Sequence, residues 1–137
     1  MSASKDLSYQ DDHYCLCCGD QNPRGFKMKF RFEGDRLLSE VLVPKEYQGF
    51  ANVVHGGVLG TLLDEVMVNL HWLKGEKTVT AEYQVRLRAA CPVDRMIHLS
   101  AWPLETKRNI HFVAAEARLD DGTLVAQATA KCVKLAL

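Results

Sequence analysis

The spacing of apolar residues changes twice along this chain. From Phe26 to Phe32 apolar and basic residues alternate without a break: Phe26, Met28, Phe30 and Phe32 share one parity, Lys27, Lys29 and Arg31 the other. A period of two predicts a half-buried strand. Glu33-Gly34-Asp35 is turn chemistry, and RLLSEVLV after it predicts a second strand and so a hairpin. Pro44 ends that strand, and PKEYQGFAN is a connecting loop. From Gly57 the period lengthens. Leu59, Leu62, Leu63, Val66, Met67, Leu70 and Leu73 recur three and four apart, one apolar stripe of a helix that Gly75 closes at its C′ position. The period then returns to two. Val79, Ala81, Tyr83, Val85 and Leu87 share one face of a strand, while Thr80, Glu82, Gln84, Arg86 and Arg88 share the other. RMIHLSAWPLE, NIHFVAAEARL and TLVAQATAKCV follow as three more strands, the last two joined by Asp120-Asp121-Gly122.

Two strands, a long helix and four strands predict an α+β fold, an antiparallel sheet wrapped around one long central helix. The last two strands are apolar or small on both faces, whereas one helix covers only one side, so a partner subunit is expected. At 137 residues the chain fits one domain, with a polar tail over 1–14 and the domain over 15–137. Lysine plus arginine and aspartate plus glutamate each number 17, so no net field points to nucleic acid or an anionic membrane. No apolar run approaches a membrane span, and MSASKDLSYQDDHY has no apolar targeting core. Five cysteines, an odd number, are therefore expected as reduced thiols in a cytoplasmic protein.

The stretch VVHGGVLGTLLDE, residues 53–65, places His55, Gly56 and Gly57 directly before the helix and Asp64 within it. Consecutive glycines weaken a helix and pack nothing, so something should offset their cost. The first amides of a helix lack intrahelical acceptors and attract negative charge. Without a Cβ in the way, a thioester or ester carbonyl could reach them and find an oxyanion hole. Asp64 shares its side of the helix with Gly57, Thr61, Val68 and His71, off the core stripe, where an acid could act as general base or nucleophile. The plain alternative is a capped helix start with a solvated Asp64. Glu65, about 100° around the helix, is the rival acid and is expected as an exposed charge. His71 is expected to pack or line a tunnel.

His55-Gly56-Gly57 with its downstream acid, in this order of strands and helix, resembles the hotdog-fold thioesterases, in particular the phenylacetate-pathway and 4-hydroxybenzoyl-CoA groups. CLCCGDQNPRGFKMKF is similar to the leader of many single-domain members, and DDGTLVAQATAKCV to their closing hairpin. The resemblance implies that Gly57, with Gly56, polarises the thioester carbonyl through backbone N–H. It implies that Asp64, reaching across from the partner subunit, activates water or attacks directly. His55 would orient the substrate or the loop, and Thr80 would hold the water or the carboxylate, although alternation puts Thr80 on the face opposite Val79 and Ala81. Some members carry an asparagine six residues before the histidine; Gly49 stands there in this chain, and Asn52 is the nearby candidate for substrate contact.

Arg88 and the pair Lys107 and Arg108, at a turn between strands, suit the phosphates of coenzyme A. Cys15 and Cys18 have the two-residue gap of a metal knuckle, but a matching second pair is missing, so a metal-free structural leader is expected. The expected activity is hydrolysis of an acyl-CoA thioester by a homodimer or homotetramer, with no metal or redox cofactor. The alternatives are an acyl-CoA hydratase or dehydratase on the same fold, and a non-catalytic acyl-CoA-binding protein. Asn52-Val53-Val54-His55 stands where related dehydratases carry a His-Phe-Pro type loop, which argues against the first. The second usually needs a fused module for which no segment is long enough, and its site would not need Asp64.

Overall fold

The structure is a computed structural model and describes residues 7–136. The first six residues of the expected tail and Leu137 lie outside the described residues. Six strands and one helix follow in the predicted order: β1 (Arg31–Glu33), β2 (Arg36–Leu42), α1 (Gly56–Trp72), β3 (Thr78–Leu87), β4 (Met96–Lys107), β5 (Ile110–Arg118) and β6 (Leu124–Lys134). The strands form one antiparallel sheet in the order β1-β2-β4-β5-β6-β3, with α1 across its inner face. This is the hotdog fold.

The sheet's floor beneath the helix is made of small side chains. Val113 pairs with Ala130, Ala115 with Ala128, and Ala117 with Ala126, and all six are buried. Short side chains there let Leu59, Leu62, Leu63, Val66, Met67 and Leu70 of α1 pack closely onto the sheet, where all six are buried. Leu73, expected in the same stripe, is 47% exposed. It is the C-cap, past the last full turn, and Gly75, with φ +90°, comes two residues later.

The first predicted strand keeps only its last two residues, Arg31 and Phe32, in the sheet, joined by Glu33 from the expected turn. Its alternation survives over Phe26–Phe30, where Met28 is buried and Lys27 and Lys29 are exposed, but the backbone is not in the sheet. Phe26 N–H donates to Leu16 O and Met28 N–H to Cys17 O, so this segment pairs with the cysteine leader, and Lys27 turns left-handed at φ 54°. Phe32 ends 39% exposed.

A second departure matters more for the site. Thr80 pairs with Cys132, but Glu82 pairs with Lys131, leaving Ala81 as a bulge. One extra residue reverses the parity of everything after it. Tyr83, Val85 and Leu87 face α1 as expected, whereas on the near side of the bulge Thr78 and Thr80 do, in place of Val79 and Ala81.

Candidate active site

The helix begins at Gly56 with His55 as its N-cap. An imidazole replaces the usual hydroxyl or carboxylate cap: His55 Nδ1 accepts from Gly57 N–H at 2.9 Å. Of the two glycines, Gly57 is the one that its neighbours hold closely. A Cβ on Gly57 would lie 3.2 Å from His55 Nδ1, and one on Gly56 would lie 2.8 Å from Leu87 Cδ1 of β3. The Gly57 amide, expected to polarise a carbonyl, is therefore taken by the cap. Among the described residues the Gly56 amide meets no acceptor, and it opens on a pocket lined by Phe50, His55, Leu59, Leu87 and Arg88.

Asp64 sits eight residues along α1, ~12 Å away at 1.5 Å rise per residue. The bulge in β3 swings Thr80 toward it, and Thr80 Oγ1 donates to Asp64 Oδ1 at 2.7 Å. Burial holds the Asp64 carboxyl above its ordinary range, opposed by the Thr80 hydrogen bond. The objection that Thr80 faces the wrong way is removed by the single extra residue. Asp64 lines an open cleft of about 900 Å³ with Met28, Phe30, Val68, Trp72 and Thr80.

The candidate substrate contacts do not converge within one chain. Asn52 is a turn residue with φ 62°; its side chain accepts from Lys45 Nζ at 2.8 Å and its carbonyl from Val93 N–H. Arg88 lines the Gly56 pocket and donates to Gln127 at 3.1 Å. Lys107 and Arg108 occupy the β4–β5 turn at the other end of the sheet, the end where Thr80 lies, with Lys107 beside Glu105 at 3.6 Å. One chain thus presents two separate places: an open amide with a cation at the helix start, and a held carboxylate farther along.

Glu65 is not the exposed charge expected from its helical angle. It is half-buried, with Asn69 Nδ2 donating to its Oε2 at 2.6 Å and Cys15 Sγ 3.6 Å from its Oε1. The four-residue spacing of Glu65 and Asn69 was the available signal. Burial, and next the charge of Glu65, push the Cys17 and Cys18 thiols well up, the opposite of activated thiols.

His71 stacks on His111 with ring centroids 3.6 Å apart. Burial, with His111 next to it, lowers its pKa to about 4 from 6.5. A lowered folded pKa means the unfolded chain binds the proton first, so stability is full above pH 6.5 and is lost as pH falls toward 4. Allowing for solvent screening, the loss should be on the order of 1–2 kcal/mol. Urea midpoints measured across this range should fall for the parent and fall less for His71→Phe; equal slopes would assign the acid loss to other groups.

A sequence profile of the thioesterase superfamily matches residues 51–126, from the loop before His55 into β6. The chain belongs to the thioesterase superfamily. Solved structures of this superfamily share its fold. A crystallised thioesterase superfamily protein superposes with a TM-score of 0.83 at 22% identity, covering 88% of this chain and 63% of the other, so the chain spans less than two thirds of that protein. The PaaI protein of the Escherichia coli phenylacetic acid degradation operon gives a TM-score of 0.75 at 12% identity, with 81% of each chain covered. A hypothetical thioesterase protein of Streptococcus pneumoniae TIGR4, solved with coenzyme A, gives 0.73 at 17% identity, covering 79% of this chain and 85% of that one. No curated protein matches this superfamily member.

Proposed function

We propose that the chain is an acyl-CoA thioesterase that hydrolyses its substrate to a free acid and coenzyme A. The observation that carries this reading is the Asp64 carboxylate, half-buried in an open cleft and held by Thr80 at 2.7 Å. In the Streptococcus pneumoniae protein, the aspartate and the threonine replaced by alanine in two variant structures stand sixteen positions apart, the spacing of Asp64 and Thr80.

The open amide and the held carboxylate meet if two copies join by β3. That strand is the sheet's edge, ten residues long with Tyr83 and Leu87 exposed, and an open edge of that length invites pairing. Thr80 lies near its start and Leu87, beside Gly56, at its end. An antiparallel pair of β3 edges about a twofold brings the Asp64 of one subunit toward the Gly56 of the other. The thioester carbonyl then accepts from Gly56 N–H, with His55 fixing the loop. Asp64 takes a proton from water as the oxygen attacks the carbonyl carbon; the C–S bond breaks and the thiolate recovers the proton. Direct attack by Asp64, giving an acyl-aspartate that water then opens, uses the same groups. Arg88, Lys107 and Arg108 offer the cations for coenzyme A phosphates, and Asn52 shapes the loop around the pocket. The working unit is a homodimer, or two such dimers as a tetramer. Each chain is one domain over 15–137 behind a polar tail, acting in the cytoplasm, a setting that five free cysteines support.

Thiol release from a panel of aromatic, short and medium acyl-CoA esters tests the activity, after subtracting the protein's own thiols. Hydration of an enoyl-CoA without thiol release would make the chain a hydratase, and binding without turnover a sensor. Removing the Thr80 hydroxyl offers a finer check. Thr80→Val deletes the donor that favours charged Asp64, so the acid limb of the kcat/KM profile should move to higher pH. An unmoved limb would show that Asp64 is not the titrating base.

A further inference from the structure

We propose that Cys15, Cys18 and Glu65 bind one zinc ion that fastens the N-terminal leader to α1. Sγ of both cysteines and a carboxylate oxygen of Glu65 lie within 4.8 Å of one another. Cys15 Sγ and Glu65 Oε1 are 3.6 Å apart, matching the tetrahedral edge of about 3.5 Å that usual Zn–S and Zn–O bonds give. The expectation of a metal-free leader looked for a second cysteine pair; the third ligand comes instead from the helix.

The surroundings are those of a metal turn. Cys15 and Cys18 flank a tight turn in which Cys17 N–H points at Cys15 Sγ at 3.4 Å and Gly19 N–H donates to Cys15 O at 3.0 Å. A Cβ on Gly19 would fall 2.3 Å from Cys15 N, so only glycine closes this turn. On the helix side, Asn69, 8% exposed, holds Glu65 Oε2 and leaves Oε1 aimed at the cysteines, the outer contact that orients a ligating carboxylate. Two thiolates and one carboxylate suit zinc among abundant divalent ions. Binding releases the two thiol protons to solvent, and water from the cleft that Cys15, Cys18 and Glu65 help line fills the fourth position. The other candidate cluster, His71, Glu76 and His111, is disfavoured by its own geometry: the two imidazoles stack with planes 11° apart, and stacked rings cannot both direct an in-plane lone pair at one ion.

The test uses the untagged full chain, purified and kept reduced. Elemental analysis should find about one zinc per chain, and cobalt(II) loaded in its place should show thiolate-to-cobalt charge transfer and tetrahedral ligand-field bands. Glu65→Gln should weaken cobalt binding ~10–100-fold or more, by the scale set for lost metal-site contacts. Cys18→Ser should abolish the charge-transfer band's two-thiolate intensity, while Cys17→Ser and His111→Asn should bind as the parent does. The cobalt spectrum of the parent stands without any variant, so a poorly folding mutant does not decide the matter. Absence of zinc and of a cobalt–thiolate band would overturn the proposal. So would a Cys15–Cys18 disulfide in the reduced preparation, or cobalt binding unaffected by Glu65→Gln.

Discussion

Asp64→Asn should lower kcat on the best acyl-CoA substrate by ~10²–10⁴-fold, the usual contribution of a positioned base. Backbone donors at the helix start only stabilise developing charge; a nucleophile must still be delivered. Asparagine keeps the volume and can still accept from Thr80, so substrate binding should persist. Stability should not suffer. Burial raises the Asp64 pKa from 3.8, so the charged form opposes folding: its favourable share is present below the unfolded value and is lost as pH rises through the folded one. At neutral pH the variant should therefore melt at or above the parent. Steady-state kinetics and thermal melts read both quantities. Near-parent turnover would remove Asp64 from the mechanism, and a fall in melting temperature as large as the fall in rate would make it a structural acid.

Gly56→Val should cost ~10²–10³-fold in kcat, as the loss of one oxyanion donor does. The new Cβ would meet the flexible end of Leu87 at 2.8 Å, which can rotate away, so the fold accommodates it. The branched methyls would stand over the first helix amide and exclude a carbonyl from it. Gly57→Ala is the informative neighbour. Its Cβ meets the His55 ring at 3.2 Å, so it disturbs the cap while leaving the Gly56 amide open, and its effect on kcat should be smaller. The reverse order would move the oxyanion hole to Gly57 and require His55 to swing off its amide.

Much of this fold is legible in the sequence. The three- and four-residue spacing of Leu59 to Leu70 fixed the helix because its stripe is long, and the glycines located its start to within one residue. Period-two alternation marks the first strand and β3, yet it cannot say what the first one pairs with: Phe26–Phe30 is extended against the cysteine leader, and alternation reports exposure, not hydrogen-bond partners. Alternation also carries no mark of a bulge, so the parity of β3 was legible after Ala81 and inverted before it. That single residue decides whether Thr80 reaches Asp64. Glu65 escaped because its partners, Cys15 and Cys18, are some fifty residues away in sequence, and helical angle alone describes only an isolated helix. The separation of Gly56 from Asp64 follows from helical rise; in the proposed dimer a second subunit would bridge it.

The most direct measurement is the activity of a purified heterodimer carrying Asp64→Asn on one subunit and Gly56→Val on the other, isolated through two different affinity tags. Each parent homodimer lacks an essential group at both of its sites. In the heterodimer, one site collects both defects and the other collects neither, so a twofold-shared site predicts about half of the wild-type activity per dimer. Activity no greater than that of the two inactive homodimers would contradict the shared site and with it the mechanism.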